Sequence, residues 1–291
     1  KRFNLRPANQ EESYEIVRRR LFEPVADPQL HAERDAVVSA FCNVYSRNTL
    51  EFPSESSEGR YETRMQAAYP VHPELFDRLY NDWSSLEEFQ RTRGVLRLMA
   101  TVIHALWSRN DRSLMILPGL LPLDEETVEG ELTRYLPGNW PVIMGTEVDG
   151  PNALPTRLDG ESTRFGQVWA TRRVARSVYM ASAPTEGRSN RGADMRHIRL
   201  GCVQPGENVA VFGDALRQLG EQASHLYSDG TRYWYAGQPN IITTGRDRQA
   251  RVDEADRLEL VRKLLRKDAV QRGGFARVHS APDSAADVPD E

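Results

Sequence analysis

Apolar residues recur at three- and four-residue steps over most of the chain, which predicts a succession of amphipathic helices. Residues 10–22 place Tyr14, Val17 and Leu21 on one side, with Glu11 and Glu12 where a helix N-terminus favours negative charge. Residues 29–47 repeat the pattern with Leu30, Val37, Phe41 and Val44, and a polar Ser/Glu loop at 54–58 separates them from a short helix over 61–68. Pro73 fits the first turn of a further helix reaching about Trp83. The longest helix is predicted from Ser85 to about Trp107, with Leu86, Phe89, Leu96, Met99, Ile103 and Leu106 on the core stripe. A second ridge of that helix carries Gln90, Gly94, Arg97, Thr101 and His104, a row of non-aliphatic residues that marks it for chemistry.

The pattern changes over 113–162, where Pro, Gly and short apolar runs such as SLMILPGLLPL predict short strands and loops around one helix at 124–136. Helix resumes over 163–183, breaks at a Gly/Ser-rich stretch over 185–192, and returns as a short helix through Met195 and Ile198. Another helix follows at 207–223, with Val209, Phe212, Leu216 and Leu219. SHLYSDGTRYWY then reads as a hairpin turning at Ser228-Asp229-Gly230. Three helices closed by a hairpin predict a winged helix. Residues 246–269 hold eight Lys/Arg against six Asp/Glu and read as a solvated connector helix, with an extended tail beyond Gly273-Gly274. The expected fold class is mainly α with small β elements. Its expected segments are a helical domain over 1–112, an insertion over 113–162, a winged helix over 163–245 and a connector with tail over 246–291.

Composition narrows the classes. At 291 residues, 39% hydrophobic and 27% charged, the chain has globular proportions and needs no covalent staples. It contains no run near the roughly 18 apolar residues of a membrane span and no apolar signal segment at its start, so the expected compartment is the cytoplasm. Cys42 and Cys202 lie far apart with no C-x-x-C pair, which predicts two buried free thiols rather than a zinc site or a disulfide. Formal charge is -4, and nearly all the Lys+Arg total is arginine, so the count of arginines by itself carries little functional information.

Hydrolytic motifs are missing: no G-x-x-x-x-G-K-S/T loop, no G-x-S-x-G elbow and no His pair at i, i+4 occurs. Pro122-Leu123-Asp124-Glu125 has the outline of an acidic metal-binding strand end. Asp124 followed by Glu125 and Glu126 reads better as the N-cap and acidic first turn of the next helix. His72, between Pro70 and Pro73, reads as a turn-fixing hydrogen-bonding residue. Across 164–199, Arg164, Arg172, Arg173, Arg176, Arg188, Arg191, Arg196 and Arg199 face only Glu186 and Asp194, a local balance of 8 − 2 = +6. With Arg232 among Tyr233, Trp234 and Tyr235 of the hairpin, this predicts a surface for duplex DNA, built from Arg172, Arg173, Arg176, Arg196, Arg199 and Arg232. A protein-docking wing is the alternative.

Gly94-Val95-Leu96-Arg97 resembles the G-x-x-R of the sensor 2 helix in the lid of AAA+ ATPases. The series SYEIVRRRLF, YPVHPELFDRLYNDW, FQRTRGVLRLMATVIHALW, RVARSVYMASAP, DALRQL, SDGTRYWY and DVPDE, in that order, is similar to the bacterial domain-of-unknown-function family 499. These are large P-loop ATPases of anti-phage defence islands, often encoded beside DNA methyltransferases. The resemblance implies an internal portion of such a protein, an AAA+-type lid, an insertion, a winged helix and a connector, with both ends continuing into a longer chain. RFNLRP would then be the last strand of the ATPase core. It implies ATP and Mg²⁺ bound only by the full-length protein, no hydrolysis by this portion alone, and Arg97 as nucleotide sensor with Arg93 and Gly94 beside it. The implied partners are the rest of the ATPase chain, DNA, and a methyltransferase or other defence protein. A non-catalytic DNA-binding or docking module, and a structural scaffold, are the competing expectations.

Overall fold

The computed structural model describes residues 10–23, 27–90, 92–188, 191–241 and 253–268, with residues 245, 282 and 288. The RFNLRP strand, residues 246–252 of the connector and nearly all of the tail lie outside the described residues. Among the described residues the chain is mainly helical with one small antiparallel sheet, and it divides into two units, residues 1–240 and 241–291.

In the first unit, α1 (Gln10–Leu21) buries Tyr14 and Val17, and α2 (Pro28–Arg47) buries Val38, Phe41 and Tyr45. The start of α2 is fixed by Pro28 and by the Asp27 carboxylate, which accepts the Gln29 N–H at 2.8 Å. α3 (Gly59–Ala68) adds Tyr61 and Met65 to this aromatic nest. His72 caps α4 (Pro73–Asp77), as its sequence context predicts: Nδ1 accepts the Glu74 N–H at 3.2 Å, leaving Nε2–H to donate to the Tyr45 hydroxyl at 3.0 Å. Complete burial, with the Arg64 charge nearby, pushes the His72 imidazole down to about 3, so it stays neutral.

α5 (Thr92–Ser108) begins a full two turns later than the apolar pattern predicts. Two 3₁₀ turns, Trp83–Ser85 and Glu87–Phe89, come first, and Gln90 takes a left-handed conformation with φ 58°. The buried face is also rotated: Val95, Leu98, Met99, Val102 and Ala105 fill the core, while Leu96, Ile103 and Leu106 lie at its margin. An apolar cleft of about 310 Å³ opens there, lined by Phe22, Pro70, Ile103, Leu106 and Met115, with the exposed Trp107 at its edge.

Residues 113–162 form helices where strands are predicted. α6 (Glu126–Thr133), α7 (Trp140–Ile143) continuing into a π-turn at Met144–Val148, and α8 (Leu154–Glu161) account for half of it. Pro141 and Pro155, read as punctuation in the sequence, occupy first-turn helical positions, where a missing N–H costs nothing. The β pairing described in this segment is one isolated bridge, Val71 to Ile116.

α9 (Thr163–Gly166) and α10 (Ala170–Ser182) share the span predicted as one helix, divided at Trp169, whose φ of 51° starts a new axis. β1 (Ala193–Asp194), α11 (Met195–Leu200), α12 (Val209–Gln222), β2 (Leu226–Ser228) and β3 (Arg232–Tyr235) follow, with sheet order β1-β3-β2. The hairpin forms where it is predicted: Asp229 accepts the N–H groups of Thr231 and Arg232, and Gly230 supplies a φ of 93°. α10 is buried on nearly every side, and Trp83 donates its indole N–H to the Met180 carbonyl at 2.9 Å. Among the described residues one contiguous apolar core runs from Tyr14 to Tyr235.

In the second unit, α13 (Glu254–Asp268) matches the later part of the predicted connector, with Leu258, Leu260, Val261, Leu264 and Leu265 all about half exposed.

Candidate functional site

Two groups hold Arg93, Gly94 and Arg97 on one helix and Arg172, Arg173 and Arg176 on another, and they are built differently. On α5, Gly94 sits against the turn that precedes the helix. A Cβ there would lie 1.9 Å from the Phe89 carbonyl oxygen and 2.9 Å from its ring. Only glycine fits, and the fit fixes how α5 leaves the 3₁₀ turn. One turn on, Arg97 reaches outward. Its Nε donates to the Glu131 carboxylate on α6 at 2.5 Å, and its guanidinium lies over the Tyr135 ring at 5.7 Å. The side chain keeps 43% of its accessibility, and Glu131 also receives Arg134 at 3.3 Å. Arg93 lies one turn earlier on the same exposed face, with His104 farther along it. The structure therefore brings Arg93, Gly94 and Arg97 together at one end of a rigid helix.

On α10 the arginines turn inward. Asp149, whose side chain is fully enclosed, receives Arg172 at 2.8 Å and Arg176 at 2.6 Å. Asp124 extends the cluster, pairing with Arg109 at 2.7 Å and lying 3.5 Å from Arg176. Asp124 is thus an ion-pair hub rather than the predicted helix cap, and Glu125 occupies the cap position of α6. Burial alone would raise the Asp124 carboxyl, but the Arg109 hydrogen bond and the Arg176 and Arg172 charges outweigh it and hold the group below its ordinary value. Burial pulls the Arg176 guanidinium down, with Asp149 opposing. Arg173 donates to Glu207 at 2.7 Å and to the Cys202 carbonyl at 3.4 Å. Beneath it, burial pushes the Cys202 thiol up to about 12, and the half-buried Cys42 thiol rises to about 11.

The predicted basic surface is therefore not assembled as one surface. Arg172, Arg173 and Arg176 are spent on internal carboxylates, Arg199 on Glu51, and Arg164 on Asp214 at 2.6 Å. Arg232 donates back to the Arg191 and Gly192 carbonyls, and Arg191 stacks 4.3 Å above Trp234. Arg188 and Arg196 are exposed. The outer face of α12 carries Asp214 and Glu221 as well as Arg217. A local charge count misses this because Asp124, Asp149, Glu207 and Glu51 lie outside the counted window.

Three further buried carboxylates brace the first unit without having been singled out in the sequence. Asp159 accepts the Thr171 and Arg172 N–H groups at 2.9 and 3.1 Å and so caps α10. Glu147 accepts the Ser224 and His225 N–H groups at 2.9 and 2.8 Å, tying the π-turn to the start of the hairpin. Glu74 binds Arg78 at 2.8 Å. Burial raises all three carboxyls, with their hydrogen-bond partners acting against it. Among the described residues no group of three His, Cys, Asp or Glu is placed to hold a metal ion, and no helix is long and apolar enough to cross a membrane.

No curated protein and no solved structure matches the chain. A family model described as the DUF499 second domain matches residues 8–192. That span exceeds half the chain and contains α5, its ridge and α10, and on it the chain belongs to the DUF499 family.

Proposed function

We propose that this chain is a non-catalytic coupling portion of a larger AAA+-like ATPase, sensing the nucleotide through α5 and passing that state to a partner through a winged-helix module. The observation that carries the reading is the pairing of Gly94 and Arg97. A close-packed glycine fixes the helix, and one turn later an accessible guanidinium rests on a single carboxylate and a ring. Such a group can exchange Glu131 for the oxygens of a terminal phosphate and bind them in a bidentate fork, which Lys would not reproduce. ATP and Mg²⁺ would be held mainly by a P-loop elsewhere in the full-length protein. In that protein, Arg97→Ala is expected to cut hydrolysis or its nucleotide response on the order of a hundredfold, the scale of losing one preorganised charge-stabilising donor. Unchanged kinetics would remove the sensor assignment. Metal-dependent turnover by the chain alone would remove the lid assignment as well.

The succession α10-β1-α11-α12-β2-β3, with sheet order β1-β3-β2, supports the winged helix. Its partner is better read as a protein than as DNA, because Arg172, Arg173 and Arg176 are neutralised and the exposed side of α12 mixes both charges. A defence role, with a methyltransferase among the partners, rests on the resemblance of the sequence. Labelled duplex titrated at several salt concentrations separates the partner classes. Protein docking predicts little or no binding, whereas an affinity of about 10⁻⁴ to 10⁻⁶ M with a steep salt slope would restore DNA, with Arg188 and Arg196 as its contacts.

A further inference from the structure

α13 presents a different kind of surface. Leu258, Val261 and Leu265 follow one another at steps of three and four, and Leu264 lies beside them. Each keeps about half of its accessibility in the second unit. An apolar stripe of this width on a helix is a surface built to be covered. The charges indicate by what. Residues 253–259 hold Asp253, Glu254, Asp256 and Glu259 against Arg257, whereas residues 262–268 hold Arg262, Lys263, Arg266 and Lys267 against Asp268. A helix that is acidic in its first half and basic in its second is its own electrostatic complement when turned end for end. A parallel copy would set like charges abreast.

We propose that α13 is a self-association element, pairing antiparallel with α13 of a second copy about a two-fold axis near Val261. In this arrangement Val261 meets its symmetry mate, Leu258 of each copy faces Leu264 of the other, and each acidic half lies along the partner's basic half. The interface is isologous and closes at two chains. At 15 residues, or about 22 Å, the helix is too short to be robust alone, so pairing and helix formation reinforce one another and the association is concentration-dependent. The proposal does not depend on the nucleotide-sensing reading.

Sedimentation velocity on the full chain over a wide concentration range tests it, with the average mass expected to rise from 33.1 kDa toward twice that value. Leu258→Glu combined with Leu265→Glu should hold the chain monomeric at every concentration, while thermal unfolding of the intact protein verifies that the larger unit is unaffected. Orientation is tested by disulfide trapping: in a mixture of Ala255→Cys and Lys267→Cys chains the mixed disulfide should form, because a two-fold near Val261 sets residue 255 of one copy beside residue 267 of the other. A chain that stays monomeric throughout, or a dimer that survives the leucine changes, overturns the proposal. Same-site disulfides in place of the mixed one overturn the antiparallel arrangement.

Discussion

α5 and α10 are both arginine-bearing helices of the same unit, and they use the same side chain for opposite ends. On α5, Arg97 is held by one carboxylate at the surface and stays accessible. On α10, Arg172 and Arg176 converge on an enclosed Asp149, with Asp124 and Arg109 completing a cluster that braces α10 against the approach to α6. Charge left near water sits in an ion pair that is cheap to exchange. Charge that holds elements together is enclosed, where losing one partner strands the other in a poor solvent. The lesson is that arginine density along a sequence says little until its carboxylates are located.

The contrast is broken most severely at its buried end. Asp149→Ala removes the anion shared by Arg172 and Arg176 and should cost about 3–5 kcal/mol in a urea unfolding experiment. A loss below about 1 kcal/mol would place the cluster with ordinary surface pairs. A smaller effect is expected with acid. Asp124 is held below its ordinary 3.8 in the folded chain, so its contribution is complete above that value and is lost as pH falls through the folded value. Unfolding midpoints followed into the acid range should therefore drop, and Asp124→Asn should flatten part of that drop while lowering stability at neutral pH. An identical acid profile in the variant would show that other carboxylates govern it. The smallest effect is expected at the exposed end, where Arg97→Ala should change stability by no more than about 0.5 kcal/mol. A large loss there would make Arg97 a structural brace like Arg176 and erase the distinction.

Much of this was legible from pattern alone, in places where local chemistry decides the outcome. The turn into α4 is set by His72 and the hairpin by Asp229 and Gly230, each acting within three residues of itself. The reading failed where distant packing overrides local preference. Leu86 and Phe89 extend the apolar stripe backward in register with α5, but Gly94 packing under the Phe89 carbonyl requires a turn between them, and the helix starts late. Pro and Gly over 113–162 suggested strands, because proline marks a helix start as readily as a break and only the surrounding core distinguishes the two. On α5, Gly94 and Arg97 could be placed on one ridge by spacing, whereas Glu131 and Tyr135, which hold the arginine, could not. On α10 the failure is electrostatic, since Asp149 precedes Arg172 by 23 positions and Glu207 follows Arg173 by 34.

The enclosed Cys202 also gives the molecule a chemical clock. Burial raises both thiols, so access is what separates them: the enclosed Cys202 is closed to an alkylating reagent while the core is intact, whereas Cys42, partly open, can be reached from the native state. Labelling at Cys202 must wait for the core around it to open, and mass spectrometry of the two cysteines separates that event from ordinary surface reactivity.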